Sequence, residues 1–306
     1  SDLVIALILE RLIPLGPSYS PINFFKALTL RITAKVHSTK RPHSPTQQKI
    51  AGALTIPTLL FPFLFLAYMM TLVAEFPHLF DGMLLWLCLS WTPARKDAIA
   101  MTKALKKDQK SLAKARLSPW VLRNTHTLSP MGMYKTTIEM LMLRSAKEYF
   151  AVMFYYLCFG SFFMLFYRLM MALNQCWNPK INHYRHFGQV AQSICYLLEW
   201  LPNRLMTYTV MLLSDFKRSF ALIRMAKKWG NDNSLHLLAA TASGLNVSLG
   251  GPVIYNHQKI RRPVIGNQQT KAPDATSVRQ TVYLVEKVLL VWLLIIVLIA
   301  AMWQVA

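Results

Sequence analysis

The sequence predicts an all-α, polytopic integral membrane protein with four to five transmembrane helices and basic amphipathic helices on the cytoplasmic side. Three observations lead there. Hydrophobic residues make up 54% of the 306 residues and charged ones only 15%, whereas an ordinary soluble domain carries about a quarter charged residues. Three runs of 19 to 25 residues carry at most one charge each, long enough to cross a hydrocarbon core roughly 30 Å thick at about 1.5 Å per residue. The net charge of +21 sits in the connections between apolar runs, which is what the positive-inside rule produces without a nucleic-acid partner.

Taken in order, Leu3 to Leu15 is apolar apart from Glu10 and Arg11, and Pro14, Gly16 and Pro17 close it. At that length it reads as a short span or a membrane-dipping helix. The start, Ser1-Asp2 before Leu3 to Leu9, lacks the basic region and cleavage site of a secretory signal, so this segment is expected to be retained. Lys26 to Lys49 holds six Lys or Arg and no acid, with Pro42 and Pro45 marking a loop. Residues 50–74 carry no charge and form the next span, Pro57 and Pro62 being tolerable where packed neighbours satisfy the freed carbonyls. After a turn with Glu75, Pro77 and Asp81, residues 79–92 return as the second arm of a hairpin.

Residues 93–148 form the first cytoplasmic segment. Thr92 and Pro93 suit an N-cap and first helical position, and Ala98, Met101, Leu105 and Leu112 fall near one face of a helix otherwise rich in lysine. Such a helix lies against a membrane surface, or forms a basic wall that recruits an anion. Residues 149–173 contain a single charge, Arg168, and make the third span. Residues 190–213 are interrupted by Glu199, Pro202, Asn203 and Arg204, giving a broken span or a helix buried in protein near the interface. Residues 214–283 form the second cytoplasmic segment, loop-like from Asn231 to Pro273, and residues 288–306 close the chain as a final span. The whole is read as one domain, 1–306.

The cysteines Cys88, Cys158, Cys176 and Cys195 lie at least 18 residues apart, without the close pairs of zinc or dithiol sites, and are expected to be buried thiols. His183 and His186, three apart, give a weak metal-ligand spacing that packing explains as well. The aromatic run from Phe150 to Tyr167 faces lipid or neighbouring helices, or stacks a flat ligand.

Several motifs carry a family resemblance. Ala242-Ser243-Gly244-Leu245-Asn246-Val247-Ser248-Leu249-Gly250-Gly251-Pro252, then Tyr255, Lys259 and Pro263-Val264-Ile265-Gly266, resemble the CobD/CbiB family of cobalamin-biosynthesis membrane proteins, the adenosylcobinamide-phosphate synthases. Asn233, Leu201-Pro202-Asn203-Arg204, Lys180 with Tyr184, Arg185, Phe187 and Gly188, and Arg123-Asn124-Thr125 also match, and Glu139 sits on the first glutamate of the family's glutamate-rich helix. The match runs without gaps from about Leu117 to Gly266. Other acidic positions differ: family glutamate, asparagine, aspartate and glycine fall on Leu143, Arg144, Lys147 and Glu148, and further aspartates on Asn174, Cys195, Tyr196 and Asn267.

The resemblance implies a multi-pass protein of the bacterial inner membrane that joins adenosylcobyric acid to aminopropanol phosphate through an amide bond. ATP and Mg²⁺ would be its cofactors and a corrinoid its substrate. Glu139 would be the catalytic carboxylate and metal ligand, activating the amine or holding the metal. The substrate-binding set would be Arg123, Thr125, Tyr184, Arg185, Arg204, Asn233, Gly250, Gly251, Lys259 and Arg262. Read from the residues alone, Glu139 is equally a solvated glutamate, and Arg123 and Arg185 equally lipid-headgroup contacts. Ile8 to Gly16 and Leu198 to Leu205 also resemble AmpE-type members of the superfamily. With the acidic positions lost, these imply the alternative of a catalytically degenerate protein with a sensing or protein-interaction role. Membrane lipids, a second copy or other membrane proteins are the expected partners.

Overall fold

The computed structural model describes residues 2–16, 20–37, 44–226, 232–255, 258–266 and 270–305, without the side chains of 254–259 and 303–305. Its helices are α1 (Asp2–Leu12), α2 (Pro21–Val36), α3 (Pro45–Val73), α4 (Pro77–Cys88), α5 (Thr92–Lys106), α6 (Lys110–Leu117), α7 (Pro130–Ser145), α8 (Ala151–Cys176), α9 (Gln189–Leu212), α10 (Phe216–Met225), α11 (Asp232–Leu245) and α12 (Ala275–Val305). Among the described residues the fold is all-α apart from two ladders of two short strands. It falls into two compact units, Ser1–Pro93 with Ala151–Leu201, and Ala94–Phe150 with Pro202–Ala306.

Three helical runs are long and apolar enough to cross a membrane: Pro45–Val73, Pro130–Cys176 and Ala275–Met302. They overlap the spans expected at 50–74 and 288–306 almost throughout and contain the one at 149–173. The first is fixed at its start by a capping box. The Ser44 hydroxyl accepts the Gln47 N–H at 3.2 Å, and the Gln47 side chain accepts the Ser44 N–H at 3.0 Å. The last begins at Ala275, well before residue 288, because Asp274 caps it by accepting the Ser277 N–H at 2.8 Å and the Ser277 hydroxyl at 2.7 Å. Exposed Phe61, Phe65 and Leu66 on α3, and Leu290, Leu294 and Leu298 on α12, give these helices outer faces suited to hydrocarbon.

The remaining segments, 3–15, 79–92 and 190–213, fold as α1, α4 and α9. Helices α1 and α4 have 11 and 12 residues, at most about 18 Å of helix, so neither crosses alone, and they pack against each other. Helix α9 runs unbroken through Pro202 for 24 residues. Its Glu199 and Asn203 are buried while Leu197, Trp200 and Tyr208 are exposed.

In the first unit, α2, α3 and α4 pack on α8. Glu10, which interrupts the first apolar run, has a structural task. Buried at 2% exposure, it accepts the Trp91 N–H at 2.9 Å, the Thr92 N–H at 2.6 Å and the Thr92 hydroxyl at 2.8 Å. Thr92 therefore does not cap α5 with its own hydroxyl; a carboxylate from α1 meets the positive end of the helix dipole. The single charge of the third span, Arg168, donates its Nε–H to the Cys88 carbonyl at the end of α4, at 2.8 Å. The Phe187-Gly188 motif is explained by close approach: a Cβ on Gly188 would lie 1.8 Å from the Trp177 carbonyl oxygen. His183 stacks with His37 at 4.5 Å between ring centroids and its carbonyl is 2.8 Å from the His37 Nε2, so packing accounts for it. Cys88 and Cys195 are buried, but Cys158 is exposed, contrary to expectation, in a turn of α8 where the adjacent Leu157 and Phe159 are exposed as well.

In the second unit, α7 packs against α6, α11 and α12, and α10 packs on α11. A π turn, Ala146–Phe150, follows α7. The stretch from Asn231 to Pro273, expected to be loop-like, contains α11, whose Leu235, Leu237, Leu238, Ala239 and Ala240 are all buried. A helix buried nearly all round lacks the polar face that reveals helical period. It also contains two antiparallel ladders, β1 (Leu249–Gly250) with β4 (Val264–Ile265), and β2 (Val253–Tyr255) with β3 (Gln258–Ile260).

Candidate functional site

Four sequence-predicted site residues meet in the second unit. Helix α7 starts where the Ser129 hydroxyl accepts the Gly132 N–H at 3.1 Å, with Pro130 in its first turn. Two and a half turns on, Glu139 points inward with 2% exposure. Its Oε2 pairs with the Arg123 guanidinium and stands 3.7 Å from Arg262 Nη2, while its Oε1 accepts the Gly250 N–H at 2.8 Å. Arg123 also donates from Nη1 to the Thr136 hydroxyl at 3.0 Å, one turn before Glu139.

The glycines make that geometry possible. Gly250 and Gly251 have φ of 72° and 84°, the left-handed region that side chains disfavour. Gly251 donates its N–H to the Pro263 carbonyl at 3.0 Å, and Gly250 pairs with Val264. The turn thus brings the Gly250 amide to one side of Glu139 and Arg262 to the other.

Two participants escaped the sequence reading. Thr136 and Lys135 precede Glu139 by three and four residues, the spacing that places side chains on one helix face. That spacing is the signal that could have found them. Lys135 lies within electrostatic reach of Glu139, Arg123 and Arg262, and a Cβ built on Gly251 would be 3.4 Å from its Nζ.

The other predicted residues take other places. Thr125 is buried, and its carbonyl closes a turn by accepting the Leu128 N–H at 3.2 Å. Arg204 pairs with the His236 ring, and Asn233 is buried at the start of α11. Tyr184 and Arg185 belong to the first unit, where the Tyr184 ring lies 4.7 Å from that of His183. The backbone of Lys259 pairs with Ile254 in the β2–β3 ladder; its side chain, and Asn267, lie outside the described residues. Past Glu139, Arg144 and Glu148, which stand where the family has an asparagine and a glycine, form their own group. Arg144 bonds Glu148 at 2.8 Å and lies over the Trp120 ring at 4.8 Å, and Trp120 donates to Asp97 at 2.9 Å.

The donor set around Glu139 does not suit Mg²⁺, which needs open oxygen ligands and keeps several waters. Both carboxylate oxygens already face donors, three cations surround them, and among the described residues no three His, Cys, Asp or Glu converge. Three cations around one carboxylate leave excess positive charge, which suits an anion.

This architecture defines a helical membrane protein with a buried, arginine-bound carboxylate on one of its longest apolar helical runs. The family profile described as CobD/Cbib protein matches residues 3–285, and the chain belongs to that family. It is 30% identical to a cobalamin biosynthesis protein CobD of Chromobacterium violaceum over 292 residues, 95% of this chain and 93% of that one. It is 29% identical to the protein of that name from Stutzerimonas stutzeri over 236 residues, 77% of each chain. The Leptospira interrogans protein of that name is 28% identical over 238 residues, 72% of this chain and 74% of its own. No solved structure matches.

Proposed function

We propose that this protein acts in cobalamin biosynthesis in the bacterial inner membrane as a multi-pass ligase. It forms the amide bond between adenosylcobyric acid and aminopropanol phosphate with ATP hydrolysis. The observation that carries the reading is the Glu139 cluster, in which Arg123, Arg262 and Gly250 from separate segments converge on the first glutamate of the family's helix. With both oxygens accepting hydrogen bonds, Glu139 orients Arg123 and the Gly250 turn, leaving the excess positive charge for phosphate or carboxylate groups of the substrates. Any Mg²⁺ is then a companion of the nucleotide phosphates. Rescue of a strain lacking adenosylcobinamide-phosphate synthase tests this directly. Growth with the wild-type chain and none with Glu139→Ala is expected; no rescue by well-expressed wild type would refute it.

A second reading has its own observation. The Arg144–Glu148 pair, with Arg144 over Trp120, fills positions where the family places an asparagine and a glycine, between the acid positions now held by Leu143 and Lys147. It favours a catalytically degenerate, AmpE-like role in sensing or protein interaction, which a failed rescue would support.

A further inference from the structure

We propose that Lys135, with Arg262 beside it, is the docking point for a dianionic phosphate group. The proposal rests on the reading of the Glu139 cluster as a site that handles anions, and adds which of its cations meets the ligand.

The cations of the cluster are not equivalent. Arg123 is fixed at both ends of its guanidinium, Nη1 by the Thr136 hydroxyl at 3.0 Å and Nη2 by Glu139, and its side chain is 12% exposed. It is occupied in holding the helix to the loop before it. The two glycine amides are also occupied, Gly250 by Glu139 and Gly251 by the Pro263 carbonyl. Lys135 differs: its ammonium makes no hydrogen bond or ion pair within 4 Å among the described residues, although Glu139 stands one turn along the same helix. Its Nζ instead sits near the Gly251 turn, 3.4 Å from where a Cβ on that glycine would be.

An ammonium in that position, half-buried, meets an anion less well hydrated than it would be in bulk water. Glu139 cancels only one of the three neighbouring positive charges, so a monoanion leaves charge uncompensated and a phosphate dianion balances the group.

The test uses the full chain in nanodiscs of neutral lipid, with inorganic phosphate as the probe. Binding is read by calorimetry and by protection of Lys135 from an amine-acylating reagent, mapped by mass spectrometry. Wild type should bind phosphate and protect Lys135 but not the exposed Lys106. Lys135→Met should weaken phosphate binding at least about tenfold, the worth of one charge-assisted hydrogen bond, and Lys135→Arg should restore most of it. Absence of phosphate binding by wild type, or unchanged affinity in a folded Lys135→Met, overturns the proposal. The acylation experiment needs no variant, so it decides the matter even where Lys135→Met does not fold; unprotected Lys135 overturns it. In nanodiscs containing anionic lipid, loss of phosphate binding with Lys135 still protected would assign the ammonium to a lipid headgroup and overturn the soluble-phosphate assignment. Phosphate binding needs no turnover. A chain that binds through Lys135 yet fails to rescue growth keeps this site and loses the proposed reaction.

Discussion

Replacing Arg123 by methionine removes the main partner of a carboxylate that is 2% exposed. Breaking a buried ion pair on one side costs about 3–5 kcal/mol, because the charge left behind is neither solvated nor paired. Here the loss is partly offset. Arg262 Nη2 remains 3.7 Å from Glu139 Oε2, an interaction of about 4 kcal/mol at an effective dielectric constant near 20, and the Gly250 N–H still donates to Oε1. The expected cost of Arg123→Met is therefore near the lower end, about 3 kcal/mol. In an Arg262→Met background the same change should cost more, because no guanidinium then faces the carboxylate. In a Glu139→Gln background it should cost about 1 kcal/mol, the loss of the Thr136 hydrogen bond. Unfolding in mixed micelles, followed through the eight tryptophans, measures all of these as a double-mutant cycle. A cost below about 1 kcal/mol for Arg123→Met alone, or equal costs in the wild-type and Glu139→Gln backgrounds, would refute the view that this pair holds the site together.

Two further predictions concern caps. Glu10→Ala leaves the Trp91 and Thr92 amides and the Thr92 hydroxyl without their acceptor; it should destabilise by about 3 kcal/mol, with Glu10→Gln recovering part of the loss in the same unfolding assay. At Asp274, the hydrogen bonds from Ser277 hold the carboxyl below its ordinary value of 3.8. A lowered folded-state value means that the cap's electrostatic contribution is complete above about pH 4 and is lost as pH falls below it; Asp274→Asn should flatten that part of the stability profile, and an unchanged acid limb would count against it.

The long apolar runs at 50–74, 149–173 and 288–306 were legible in the sequence because hydrophobic length is a local property that requires no partner. The basic connections were legible for the same reason, being a matter of composition. Glu139, Arg123 and Gly250 were each visible as matches to a family pattern, and Arg262 as a member of the anion-binding set that the resemblance implies. Helix α11 was hidden, since burial on all sides removes the polar face that exposes helical period.

What the sequence by itself determined is a membrane protein of helices with basic connections and a family motif spread over half its length. Only the tertiary structure decided what the polar residues do. Glu10 became a cap for a helix more than 80 residues away, and Glu139 became the meeting point of a loop arginine, a glycine amide 111 positions on and a further arginine. It likewise separated Arg123, held by Thr136 and Glu139, from Lys135, whose ammonium makes no hydrogen bond among the described residues. The physical reason is that the role of a buried charge depends on which donors surround it, and those donors arrive from distant parts of the chain.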